Sequence, residues 1–377
     1  MSPTTLAGPA AAALASLSSQ DIAFLEALPK AELHAHLNGS IPINTLLDLA
    51  NAHPPEDPHL PSDIFTYLKR LQAGVVLSEP SDFFMLFPAI YALTSTPEAL
   101  AIATRAVLES FLCPQALSGA TQCTYLELRT TPRSTPHMSR YVYLTTVLAE
   151  IDKFPGASLI ISIDRRMSDS DVRECVDLAI SLHGEGRKVA GLDLCGDPTK
   201  GDMSTFEPHF KRAKKSGLGL TVHIAELPTS AVSECFTLLD WYPDRLGHAT
   251  FLDDATKATY FMGSGAAFFT SCNGNGVKYQ PSIPSKYTPC VEICLTSNLL
   301  WVSTVPSLDA HHIQYYLEKD HPIAISTDDT LPFRTSLLAE YALLLAKPPL
   351  GIGLTHSEVA KIAQMSLDSR FTDDTAV

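Results

Sequence analysis

His34 and His36 stand one residue apart in Glu32-Leu33-His34-Ala35-His36-Leu37, near the start of a 377-residue chain. Side chains in a β-strand alternate faces, so the two imidazoles point one way while Leu33, Ala35 and Leu37 face the other, apolar side. Two neutral imidazoles converging from one strand offer lone pairs to a divalent metal, zinc being the common case. Alone, the pair reads equally well as two polar residues at the end of a strand. Four more groups of the same chemical types follow: His223 with Glu226 in Thr221-Val222-His223-Ile224-Ala225-Glu226, His248 after Gly247, and Asp328-Asp329. A lone buried histidine or aspartate is ordinarily a satisfied core or loop residue, so their meaning depends on whether the fold gathers them.

Eight short β-rich runs punctuate the chain: Ala31 to Leu37, Thr124 to Thr130, Leu159 to Arg165, Val189 to Gly196, Leu218 to Glu226, Asp244 to Thr250, Cys290 to Asn298 and Pro322 to Asp329. Helical periodicity lies between most of them, as in Asp169 to His183, Glu207 to Ser216, Ala231 to Asp240 and Ala310 to Lys319. Strand then helix, eight times over, predicts an α/β fold, a (β/α)8 TIM-type barrel. His34 and His36 then lie in the first strand, His223 and Glu226 at the end of the fifth, His248 in the sixth and Asp328 with Asp329 at the end of the eighth. All meet at the C-terminal face, where such barrels carry their chemistry.

Two stretches exceed the repeat. Residues 43–117 hold several apolar helical faces and predict a helical cap over the mouth after the first strand, which would exclude water. Residues 263–287 are rich in Gly, Asn, Ser and Pro and read as a long loop insertion before the seventh strand. Residues 1–20, rich in Ala and Ser, read as a disordered tail, leaving 21–377 as one domain.

The formal charge of −14 argues against a nucleic-acid surface, and an anionic substrate would need its own cluster of cations or amides. Eight scattered cysteines without paired metal spacing fit reduced thiols in a cytoplasmic protein. No apolar run is long enough for a membrane span, and the start lacks the basic residues of a leader.

The motifs His34-Ala35-His36, Thr221 to Glu226, Gly247-His248 and Ser326-Thr327-Asp328-Asp329 resemble, in the same order, those of the adenosine/AMP deaminase family. The likeness runs from about Leu28 to Phe371. Carried over residue by residue, it implies one zinc ion on His34, His36, His223 and Asp328. It implies Glu226 as proton carrier, His248 as partner of the attacking water, and Gly196, Asp329 and His36 as contacts to the purine substrate. The physical roles agree: a zinc site of three imidazoles and a carboxylate leaves room for an activated water, and a carboxyl in a capped pocket keeps its proton.

Plain adenosine deaminases usually carry aspartate two residues after the second histidine, close to the ribose 5′ hydroxyl, whereas this chain has Asn38. A carboxylate there would repel a 5′-phosphate that a neutral amide can bind. Arg129-Thr130-Thr131-Pro132-Arg133 offers hydroxyls and guanidinium groups to clasp phosphate oxygens. With Asp164, Gly196 and Leu295-Thr296-Ser297-Asn298, these segments resemble the adenosine deaminase-like branch, which hydrolyses N6-methyl-AMP to IMP and methylamine. By that resemblance Asn38, Tyr91, Thr130, Thr131, Pro132, Arg133 and Asp164 join the substrate contacts. Tyr91 stands where members of the branch often have histidine.

The expected partner is a purine nucleoside monophosphate, with no nucleic acid or membrane and a monomeric chain. Adenosine itself is the alternative substrate. A different metal-dependent hydrolase on the same barrel, or a barrel that only binds nucleotide, are the readings from other classes. Glu226 speaks against the second, and the absence of a Pro-Cys-x-x-Cys run removes the cytidine-type zinc deaminases.

Overall fold

A computed structural model describes residues 6–52, 63–115, 119–261, 269–270, 278–279, 287–301 and 305–372. Eight parallel strands follow one another around a single sheet: β1 Ala31–His36, β2 Tyr125–Thr130, β3 Ala157–Asp164, β4 Val189–Cys195, β5 Gly219–Ile224, β6 Arg245–His248, β7 Cys290–Ile293 and β8 Ile323–Ile325. Each strand is overwhelmingly buried, as parallel strands covered by helices on the outside must be. The ring closes just beyond β8. There Ala35 bridges Asp328, with the His36 amide donating to the Asp328 carbonyl at 3.0 Å and the Asp328 amide to the His34 carbonyl at 2.8 Å. Below this seam the Glu32 carboxylate accepts from the amides of His34 at 2.8 Å and Thr327 at 3.0 Å, bridging strands whose ladder is interrupted.

Each of the eight β-rich runs contains one of these strands. The run Cys290 to Asn298 is the least faithful: β7 ends at Ile293 and a short helix, Leu295–Leu300, follows at once. A continuous apolar run cannot by itself distinguish a buried strand from a buried helix. The helices Asp169–Gly184, Glu207–Lys215, Val232–Leu239 and Ile313–Glu318 lie in the expected stretches.

The disordered tail expected at the start is contradicted. Gly8–Ser16 is helical and buries Ala10 and Ala13 against the helix Leu337–Leu345. Small apolar side chains let two helices approach closely, and this composition mimics a low-complexity tail. Between β1 and β2 the chain forms helices Ile43–Ala52, Ile64–Ala73, Pro80–Phe84, Phe87–Leu93 and Pro97–Leu112. Most of 263–287 lies outside the described residues. Within it, Phe269–Thr270 and Lys278–Tyr279 pair antiparallel.

The barrel interior is charged. Glu127, Arg129, Asp193 and Glu292 have no exposure and Arg245 has 1%. Arg245 bridges Glu127 at 2.6 Å and Glu292 at 2.7 Å, while Arg129 reaches Glu292 at 2.9 Å. Buried charges of this kind persist only when paired and hydrogen-bonded. Phe371, past the last helix, seals the opposite end with its ring 3.6 Å from the Arg245 guanidinium. No described helix is long and apolar enough to cross a membrane.

Candidate active site

The strand ends bring the nominated histidines together. His36 Nε2 lies 3.3 Å from His34 Nε2 and 3.2 Å from His223 Nε2. The opposite nitrogens of two rings are already engaged: His34 Nδ1 faces Glu292 at 2.7 Å, and His223 Nδ1 faces Asp193 at 2.9 Å and the Leu194 carbonyl at 2.8 Å. In neutral rings those acceptors fix the proton on Nδ1, so lone pairs converge at the Nε2 side. Asp328 Oδ1 stands 3.5 Å from the Nε2 atoms of both His34 and His36. Its other oxygen accepts from the Ser297 hydroxyl at 2.7 Å. Lone pairs crowded together beside a carboxylate need a cation, so this donor set fits a metal ion.

Electrostatics support that reading. Burial and Arg129 oppose a charge on His34, yet Asp328 and Glu292 outweigh them and lift its pKa to about 9. Burial also works against ionised Asp328, but the surrounding histidines hold its pKa well below the ordinary aspartate value.

Register and backbone strain set these positions. Pairing of β5 with β6 places His223 opposite Gly247 and Ile224 opposite His248. A Cβ on Gly247 would lie 3.1 Å from His34 Cε1, so the residue before His248 leaves space for the ring. Ala225, His248 and Asp328 all have left-handed φ, of 50°, 61° and 62°. Such strain in non-glycine residues gathers at functional sites.

Beyond the histidines opens a cavity of about 710 Å³ lined by His36, Asn38, Tyr91, Thr130, Thr131, Asp164, Gly196, His223, Glu226, His248, Asp328 and Asp329. Burial raises the Glu226 carboxyl to about 7. Its Oε1, like Asp329 Oδ1 and Asn38 Oδ1, is buried without a hydrogen-bond partner among the described residues. Burial and neighbouring Asp328 push Asp329 well above its usual range. Gly39 is required beside it, because a Cβ there would fall 1.5 Å from Asp329 Oδ1. The cap supplies Phe83, Phe84, Phe87 and Tyr91 to the wall.

The matching family model is "Adenosine deaminase", over residues 29–376. An Arabidopsis thaliana N6-mAMP deaminase is 33% identical over 93% of this chain and 94% of its own. A human N6-methyl-AMP deaminase is 34% identical over 93% of this chain and 91% of its own. The chain belongs to the adenosine deaminase family. The crystal structure of an Arabidopsis ADAL complexed with IMP superposes with a TM-score of 0.75 at 32% identity, covering 93% of this chain and 94% of that one. Membership makes the protein a hydrolytic deaminase with a metal-dependent site.

Two substrate contacts expected by resemblance to this adenosine deaminase family are not on the cavity wall: Pro132 and Arg133. Arg133 instead donates to the Tyr91 carbonyl at 3.0 Å and the Thr94 hydroxyl at 2.8 Å, with its guanidinium 4.4 Å from the Tyr91 ring centre. It ties the barrel to the cap. Arg129, offered as a phosphate clasp, is committed to the interior network. The cation that reaches the wall is Arg166, half-exposed and paired with Asp164 at 2.6 Å. Sequence reading also passed over Asp193 and Glu292, single acids inside the apolar strands Val189–Cys195 and Cys290–Ile293. Their one signal was a charge at an inward position of an otherwise apolar run.

Proposed function

We propose that this chain is a zinc-dependent aminohydrolase converting N6-methyl-AMP and water to IMP and methylamine. The observation that carries the reading is the convergence of three imidazole Nε2 atoms and Asp328 beside Glu226, whose unpartnered carboxyl holds its proton up to about pH 7. His34, His36, His223 and Asp328 would hold the zinc. When bound, zinc supplies a water acidic enough to be available as hydroxide near neutral pH.

Attack at C6 of a purine breaks its aromaticity unless N1 is protonated in step, and the buried Glu226 carboxyl is the group with a proton to give. His248 and Asp329 orient the attacking water, and Gly196 accepts the purine edge by backbone contact. At φ 98° its missing side chain also spares the Asp164 carboxylate, which a Cβ would approach to 2.8 Å. Asn38 admits a 5′-phosphate where a carboxylate would repel it. Thr130, Thr131 and Arg166 supply the hydroxyls and positive charge for that phosphate. The curated relatives named N6-methyl-AMP deaminase, matched along nearly the whole chain, favour the methylated nucleotide over adenosine.

Comparing kcat/KM for N6-methyl-AMP, AMP and adenosine tests the reading. N6-methyl-AMP is expected to be processed fastest; a preference for adenosine would overturn it. Chelation should abolish turnover and zinc should restore it.

A further inference from the structure

His248 is held by residues that neither the family motifs nor the cavity wall include. Its Nδ1 lies 3.3 Å from Asn298 Nδ2, and Asn298 Oδ1 lies 3.1 Å from His311 Nε2. The chain ends on a group of fixed polarity: the backbone N–H of Ile313 donates to His311 Nδ1 at 3.1 Å. The neighbouring His312, its ring stacked on His311 at 4.3 Å, reaches the His248 carbonyl with Nε2 at 2.8 Å. Both the ring and the left-handed backbone of His248 are therefore gripped from one place, the segment that opens the helix Ile313–Glu318.

The direction of every bond follows from the amide. A peptide N–H can only donate, so His311 Nδ1 accepts and neutral His311 carries its proton on Nε2. That proton goes to Asn298 Oδ1, which turns the amide NH₂ toward His248. His248 Nδ1 must then accept, leaving Nε2 as the protonated nitrogen. Nε2 is also the atom that faces the metal-binding cluster, 3.9 Å from Asp328 Oδ2. Asn298, His311 and His248 are all buried, and burial keeps both histidines from charging.

We infer that Asn298 and His311 are positioning residues that lock His248 as the Nε2–H tautomer, making it a hydrogen-bond donor to the attacking water and not a base that removes its proton. The inference rests on the hydrolytic reading for its catalytic consequence, but its structural core is independent of substrate.

Histidine-selective ¹⁵N NMR of the metal-loaded protein decides it, with the His248 signals assigned by comparison with His248→Gln. The wild type is expected to show Nε2 protonated and Nδ1 bare. Asn298→Asp keeps the shape but offers His248 an acceptor, and should move the proton to Nδ1. It should lower kcat by on the order of 10²–10⁴-fold, as wrong-tautomer substitutions do in other enzymes, with KM and bound metal held near wild-type values. His311→Ala, which frees the amide to turn, should give a mixture of tautomers and a smaller loss of kcat. Protonation of Nδ1 in the wild type, or an unchanged His248 tautomer in both variants, would overturn the inference. Failure of Asn298→Asp to fold leaves the wild-type spectrum and His311→Ala to decide. If all three N6-substrate comparisons failed while the tautomer was as stated, the functional reading would fall and the positioning role would stand.

Discussion

Replacing Glu226 by glutamine is expected to stop turnover and, above neutral pH, to strengthen the fold. Burial shifts this carboxyl from 4.5 to about 7. At about 1.4 kcal/mol per pKa unit, a rise of ~2.5 units corresponds to about 3 kcal/mol. Below pH 4.5 the carboxyl is protonated in both folded and unfolded chains and the site carries no penalty. Between 4.5 and 7 the unfolded chain releases its proton while the folded one retains it, so stability falls as pH rises. Above 7 the penalty is complete. Glutamine has the same shape and no charge, so it escapes this loss. Urea unfolding of the metal-stripped proteins at pH 5 and pH 8 checks the effect: the stability of Glu226→Gln relative to wild type should improve by about 3 kcal/mol across that interval. Its kcat should fall ~10²–10⁴-fold, the usual contribution of a positioned acid, with metal content unchanged. In the wild type, kcat should decline about tenfold per pH unit above 7 as Glu226 loses its proton. A relative stability that does not move with pH, or substantial turnover by the glutamine variant, would refute the assignment of Glu226 as a buried proton donor.

Asp193→Asn leaves an isosteric partner for His223 without its charge, and should weaken metal binding 10–100-fold, measured by competition with a chelator of known affinity. Gly39→Ala should displace the Asp329 carboxylate, which a new Cβ would overlap at 1.5 Å, and cut kcat by more than about tenfold while metal content holds. An unperturbed kcat in that variant would remove Asp329 from the reaction.

The strand alternation that pairs His34 with His36 needs only local geometry, so the first two imidazoles were legible at once. His223, Glu226, His248 and Asp328 were legible through the eight strand-like runs, because a parallel barrel sends every strand end to one face. Other features depend on partners distant in sequence. Arg133 sits where a phosphate clasp would be expected, but its partners are carbonyl and hydroxyl groups of Tyr91 and Thr94 in the cap. Asn298 and His311 acquire their meaning from a backbone amide in a loop, which no side-chain pattern advertises. The Ala-rich start lacks charge periodicity because its helix Gly8–Ser16 docks through small side chains, and composition alone assigns such a stretch to disorder.

The seam of the barrel is fastened by the main chain of His34, His36 and Asp328, three of the residues whose side chains converge on the metal-binding point. A metal arriving there meets donors whose backbones the fold has already immobilised, so little chain freedom remains to be lost on capture. The same economy works in reverse. A bound ion resists any parting of the first strand from the last, so that loading the centre and keeping the cylinder shut become one thermodynamic quantity.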